Sequence, residues 1–141
     1  MHKVIVKVNS TQTSNTTNTI TTKNVANHHQ KNGTSYIIYK EKMLSDQPAV
    51  NTMLKLTDNS LTLTRNGSVK LQQYFAEGAT SQCDYETPFG KINMRIKTRV
   101  FTILPVTSDT IYRTIKIEYA VYLNGKWQSD NKLVIDIKPA N

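Results

Sequence analysis

The 141-residue chain holds a single cysteine, Cys83, which excludes an internal disulfide and any cysteine-based zinc cage and fits a reducing cytoplasm. Five glycines and four prolines are too few for a disordered or collagen-like tract. No segment repeats the i, i+3, i+4, i+7 apolar spacing of an amphipathic helix, and no stretch repeats another. Long apolar runs are missing too. The opening MHKVIVKVNS is broken by Lys7, too short for the apolar core of an export signal and far too short to cross a bilayer. A soluble, cytoplasmic chain without a membrane partner is expected. There is also no glycine-rich phosphate loop, no nucleophile elbow and no cluster of metal-ligand residues. The sequence therefore predicts a non-enzymatic protein with no cofactor and no metal.

What is present favours strands. Apolar residues make up 38% and charged residues 20%, and the chain is long enough for one domain, 1–141, to bury a core of its own. The organising stretch is CDYETPFGKINMRIKTRVFTIL, residues 83–104. Thr87-Pro88-Phe89-Gly90 supplies a proline with preset φ and a glycine that accepts positive φ, the chemistry of a tight hairpin turn. Beyond it Ile92, Met94, Ile96, Thr98 and Val100 alternate with Asn93, Arg95, Lys97 and Arg99, the period of two of a half-buried strand.

Taken in order, residues 3–12 alternate as an opening strand, with Ile5 breaking the polar set. Residues 13–30 are rich in Thr and Asn and carry no carboxylate; Asn18 to His28 reads as a solvated edge strand whose register is weakly specified. Asn32-Gly33 and Asn124-Gly125 carry the type I′ hairpin signature. Tyr36 to Tyr39 form a strand with apolar residues on both faces, and 45–49 read as a loop. Short strands follow over 51–57, 61–65 and 69–76, separated by turns at Asp58-Asn59 and Asn66-Gly67. Glu77-Gly78 and Pro105 to Asp109 break the pattern again before strands at 110–123 and 127–138. Eight to ten antiparallel strands joined by tight turns predict an all-β meander closed into a barrel, with a two-sheet sandwich as the alternative.

Several segments together carry a resemblance: Val-Lys-Val-Asn-Ser-Thr-Gln at 6–12, Leu-Thr-Arg-Asn-Gly at 63–67, Gln73 to Gly78, Tyr-Glu-Thr-Pro-Phe-Gly at 85–90, and Glu118-Tyr119 running into Leu123-Asn124-Gly125. Across nearly its whole length the chain resembles the YwiB-like family of Gram-positive bacteria, a domain of unknown function. The resemblance implies a calycin-like, lipocalin-like β-barrel and, by analogy with other calycins, an interior ligand.

Polar residues in phase with apolar ones are the candidates for chemistry. Arg113 shares the face of Ile111, Ile115 and Ile117, Arg65 continues the face of Leu61 and Leu63, and Gln73 lies between Leu71 and Phe75. A guanidinium inside a barrel must be paired, so Arg65 and Arg113 imply either an internal ion pair or a site at one end of the barrel for a small anionic or amphipathic ligand. Arg65, Gln73, Arg113 and Tyr85 make up that candidate set. The plainer reading is that both arginines sit near strand ends and reach water.

The second candidate rests on charge. Eighteen Lys and Arg against ten Asp and Glu give +8, although no run of several basic residues occurs. Arg95, Lys97 and Arg99 form a stripe at two strand rises per step, which suits RNA or a protein partner, with Tyr39, Tyr74 or Tyr112 as stacking platforms. Otherwise it is a solvated strand face neutralised by Asp84 and Glu86 across the hairpin. Those two carboxylates serve as ion-pair partners and not as an acid–base pair. His28 and His29 face opposite sides of an extended strand and cannot chelate one metal together, with His2 too near the terminus to add a third ligand. Cys83 reads as a small buried hydrophobe. A monomer or weak homodimer is expected.

Overall fold

The computed structural model describes residues 2–41, 48–105 and 113–140. It contains ten antiparallel strands in one sheet and, among the described residues, no helix. The strands are β1 (His2–Thr13), β2 (Thr17–Lys31), β3 (Thr34–Glu41), β4 (Val50–Leu56), β5 (Leu61–Asn66), β6 (Leu71–Phe75), β7 (Thr80–Thr87), β8 (Gly90–Pro105), β9 (Arg113–Leu123) and β10 (Lys126–Pro139). Their order across the sheet is β6-β5-β4-β3-β2-β1-β10-β9-β8-β7. Each strand therefore pairs with its neighbours in sequence, except that β6 and β7 stand at the two ends of the order and that β1 also pairs with β10, which brings the two ends of the chain side by side. The meander curls until β6 and β7 meet, and the barrel nearly closes.

That seam is thin. Lys70 and Glu86 exchange two backbone hydrogen bonds at 2.8 and 2.9 Å, and Ser81 Oγ donates to the Tyr74 carbonyl at 3.2 Å. No continuous ladder joins β6 to β7 among the described residues. A second divergence lies between β2 and β3, whose pairing runs only from Lys31↔Thr34 to Asn27↔Ile38. Past that point Thr17 to Ala26 pair with β1 alone, so this half of β2 is an edge and the other half is not.

Inward positions follow the period of two. Val4 and Val6, Leu61 and Leu63, Phe75, Ile115 and Ile117, and Ile135 and Ile137 fill the interior, and Phe75 meets Tyr119 edge to face with ring centroids 4.8 Å apart. Asn32 and Asn124 adopt positive φ ahead of Gly33 and Gly125, as a type I′ turn requires.

One expected face is revised. The alternation of β8 placed Val100 inward with Thr98, but a bulge between them lets Arg99 go unpaired. Val100 then faces outward opposite Glu118, and Phe101 and Ile103 take over the inward face against Ile117 and Ile115. The expected break at 106–109, the strand start at 110–112 and the loop residues 45–47 lie outside the described residues.

Candidate functional site

Because hairpin turns alternate between the two ends of a meander, the turns after β1, β5, β7 and β9 share one end of the barrel. Near that end the interior is not filled. A cavity of about 370 Å³ is walled by Leu54, Leu63, Leu133 and Ile135, and carries Arg65, Gln73, Tyr39, Tyr119 and Glu41 as its main polar groups. Ser10, Ile20 and Thr22 form its lip on β1 and β2. Ile20 has inward parity and is nonetheless 64% exposed, because β3 has peeled away from β2 at this height.

The polar groups are wired in a definite way. Arg65 Nε donates to Glu41 Oε1 at 2.8 Å, and Thr52 Oγ1 donates to the same oxygen at 2.7 Å. Among the described residues the Nη groups of Arg65 and the hydroxyls of Tyr39 and Tyr119 have no hydrogen-bond partner. Gln73 spends its Nε2 on a weak bond to Met94 Sδ at 3.4 Å. Burial pushes Tyr119 up to about 12, against a small lowering by Arg65. Burial, then the Glu41 carboxylate, pushes Tyr39 further up. Both hydroxyls thus remain protonated donors at neutral pH. The cavity offers donors on an apolar wall, and its one ion pair leaves it formally neutral.

Of the four residues expected at a ligand site, the structure brings Arg65 and Gln73 together. Arg113 stands at the opposite end of the barrel, where it lines a separate depression with Gln30, Leu56 and Asp58. Strand parity fixes which face a residue is on and not its height, so the expectation that the two arginines share an end fails. Tyr85 points inward and packs against the core without lining the cavity. Glu41 and Tyr119 are the members that sequence reading missed. Glu41 follows Ile37 and Tyr39 at the same parity, so its inward position was available in the alternation.

The basic stripe is neutralised differently from expectation. The turn sets Thr87 opposite Gly90, which places Asp84 across from Asn93 and Glu86 across from Lys91, short of the stripe. Instead the Arg95 guanidinium and the Lys97 ammonium lie 4.9 and 5.1 Å from the Tyr122 ring centroid. Arg99 Nη1 reaches Asp130 Oδ1 at 3.4 Å. Of the expected stacking platforms, Tyr39 is buried in the cavity wall because it shares the parity of Ile37, Tyr74 is exposed on β6, and Tyr112 lies outside the described residues. His28 is buried and His29 exposed, so the two do face opposite sides. Among the described residues no group of three His, Cys, Asp or Glu is placed to hold a metal. Cys83 packs partly buried against the core, and burial raises its thiol pKa.

The family model for a domain of unknown function, DUF1934, matches residues 5–135. The chain belongs to the DUF1934 family. The chain is 28% identical over 72 residues to the uncharacterized beta-barrel protein YwiB of Bacillus subtilis (strain 168). That match takes in 51% of this chain and 49% of the relative, so it spans about half the length of the curated protein. The crystal structure of the ywiB protein from Bacillus subtilis superposes with a TM-score of 0.84 at 20% identity, covering 99% of this chain and 93% of that one. The likeness establishes the fold. Among the described residues no helix is long and apolar enough to cross a membrane.

Proposed function

We propose that this DUF1934 chain is a non-enzymatic, cytoplasmic binding protein that holds a small amphipathic molecule in the Arg65/Gln73 cavity. The observation that carries the reading is the cavity itself: about 370 Å³ of space beside donors on Arg65, Tyr39 and Tyr119 that have no partner among the described residues. Its volume sits near the lower limit of pockets that enclose small ligands, roughly 300–1,000 Å³. These donors line an opening to solvent, so a ligand there replaces water as their acceptor.

The Arg65–Glu41 pair supports an uncharged polar head over a free carboxylate. A carboxylate would bring an uncompensated negative charge beside Glu41, which is costly in a partly desolvated site. An amide or hydroxyl accepts from Arg65 and the tyrosines without that penalty. The apolar body then lies on Leu54, Leu63 and Ile135 and covers Ile20 at the lip. Titration calorimetry with matched amide and carboxylate pairs of medium-chain acids tests this. The amides are expected to bind at least as well as the acids, and Thr22→Trp, which fills the lip, should abolish binding. Failure of every pair to bind, or unchanged binding by Thr22→Trp, overturns the reading.

A further inference from the structure

Positive charge is not spread evenly around the barrel. On the outward face of β3 to β7, Lys40, Lys55 and Lys70 stand with Asp84 and Glu86, a mixed surface. The outward face of β8, β9, β10, β1 and β2 is different. It starts with Arg95, Lys97 and Arg99 on β8 and continues with Lys116 on β9 and Lys132 on β10. It reaches Lys138 on β10, Lys3 and Lys7 on β1 and Lys23 on β2. Glu118, Asp130 and Asp136 are the carboxylates interspersed along this band. The registers Arg95↔Tyr122, Lys116↔Val134, Lys7↔Asp136 and Lys7↔Lys23 make it a diagonal across five strands. At about 4.8 Å per strand and about 3.3 Å per residue it extends for about 30 Å.

The two ends of the band are built differently. At one end Lys7, Lys23 and Lys138 surround an outer pocket of about 260 Å³ with Ile5 and Asp136. Among the described residues no carboxylate lies within 4.0 Å of any of these three ammonium groups, and Asp136 accepts instead from Thr114 Oγ1 at 2.8 Å. At the other end Tyr122, with Arg95 and Lys97 over its ring, stands opposite Trp127 in the β9–β10 ladder. Trp127 is 49% exposed and is held by its Nε1 donating to Asp130 Oδ1 at 3.3 Å.

We propose that this band is a docking surface for single-stranded nucleic acid, with phosphates running along the lysines into the Lys7/Lys23/Lys138 pocket and a base stacked on Trp127. Two features favour a flexible strand over other polyanions. The band wraps a curved wall, so a planar anionic membrane or a stiff duplex touches only part of it at once, whereas a single strand follows the curve. A held, half-exposed indole at its end matches the sequence-tolerant stacking by which such strands are gripped. The inference is independent of the interior cavity.

The test is fluorescence anisotropy with a labelled 12-nucleotide oligouridine, from 50 to 300 mM salt, with the thermal midpoint of each variant as a folding control. Lys7→Gln/Lys23→Gln/Lys138→Gln should weaken binding at least about tenfold and reduce the slope of log K against log salt by about 2, from roughly 0.7 per phosphate contact. Trp127→Ala should weaken oligouridine about tenfold and leave heparin binding unchanged. Lys40→Gln/Lys55→Gln on the opposite face should change neither. Absence of binding at 50 mM salt, equal losses from the two lysine variants, or equal effects of Trp127→Ala on heparin and oligouridine would each overturn the proposal, as would vesicles of anionic lipid competing as well as RNA.

Discussion

At the scale of single residues, Arg65 and Glu41 decide the character of the interior. Their side chains are mostly removed from solvent, and Thr52 Oγ1 donates to the same carboxylate oxygen. Removing one partner leaves an unbalanced charge, so Arg65→Met should destabilise the fold by about 3 kcal/mol in denaturant titration. Glu41→Gln combined with Arg65→Met should cost less than that single change, because no lone charge remains. His28 gives a second prediction. It is buried, and its pKa is lowered first by burial and then by His2, His29 and Arg113. The unfolded chain therefore takes up its proton more readily than the native one, and stability present above the ordinary histidine pKa of 6.5 declines as pH falls below it. Thermal midpoints from pH 8 to pH 5 should show that decline, and His28→Gln should flatten it. Parity alone placed Gln73 and Arg65 on the inner face, so that part of the cavity was legible in the alternation, while Glu41, available by the same parity, was missed. What alternation could not supply was height along the barrel, and for that reason Arg113 was grouped with a residue at the other end.

At the scale of elements, turn chemistry was the most readable layer. Asn-Gly at 32–33 and 124–125 forms the expected positive-φ turns, because only small or amide side chains tolerate that region. Bulges were the least readable. The extra residue in β8 between Thr98 and Val100 leaves no local compositional sign, yet it exchanges Val100 for Phe101 on the core side. The edge character of β2 was half legible: its Thr-rich, weakly patterned start is unpaired on one side, and the tract Asn27–Lys31 joins β3. Gly67 is the glycine with least freedom, since its φ is +153° and an added Cβ would sit 3.1–3.3 Å from Val50. Gly67→Ala should cost about 2 kcal/mol in a denaturant titration. Gly125→Ala, with open space around it, should cost about 1 kcal/mol. The seam predicts a pattern in amide exchange. Amides of β6 and β7 directed at each other, apart from Lys70 and Glu86, should exchange well ahead of those in β1, β9 and β10.

At the scale of the whole molecule, the two faces of one sheet differ in character. Its concave face packs a core over most of its height and leaves a cavity near the end where β2 and β3 part. Its convex face gathers the positive charge on β8 to β2 through the pairing of β1 with β10, a long-range contact that no local pattern announces. The +8 was legible from composition, and its sidedness emerged only from that topology. The same holds for the stacking residues: Tyr122 and Trp127 flank a turn in the sequence, and the β8–β9 register is what sets them beside Arg95 and Lys97.

The central claim is that the interior cavity is occupied in the cell. Native mass spectrometry of the protein isolated from its own cells, at gentle and then at stripping voltage, tests it most directly when Thr22→Trp is measured in parallel. The account predicts a discrete added mass on the wild-type protein that leaves on activation and is missing from Thr22→Trp. A bare mass for both proteins, or the same adduct at equal occupancy on both, would contradict it.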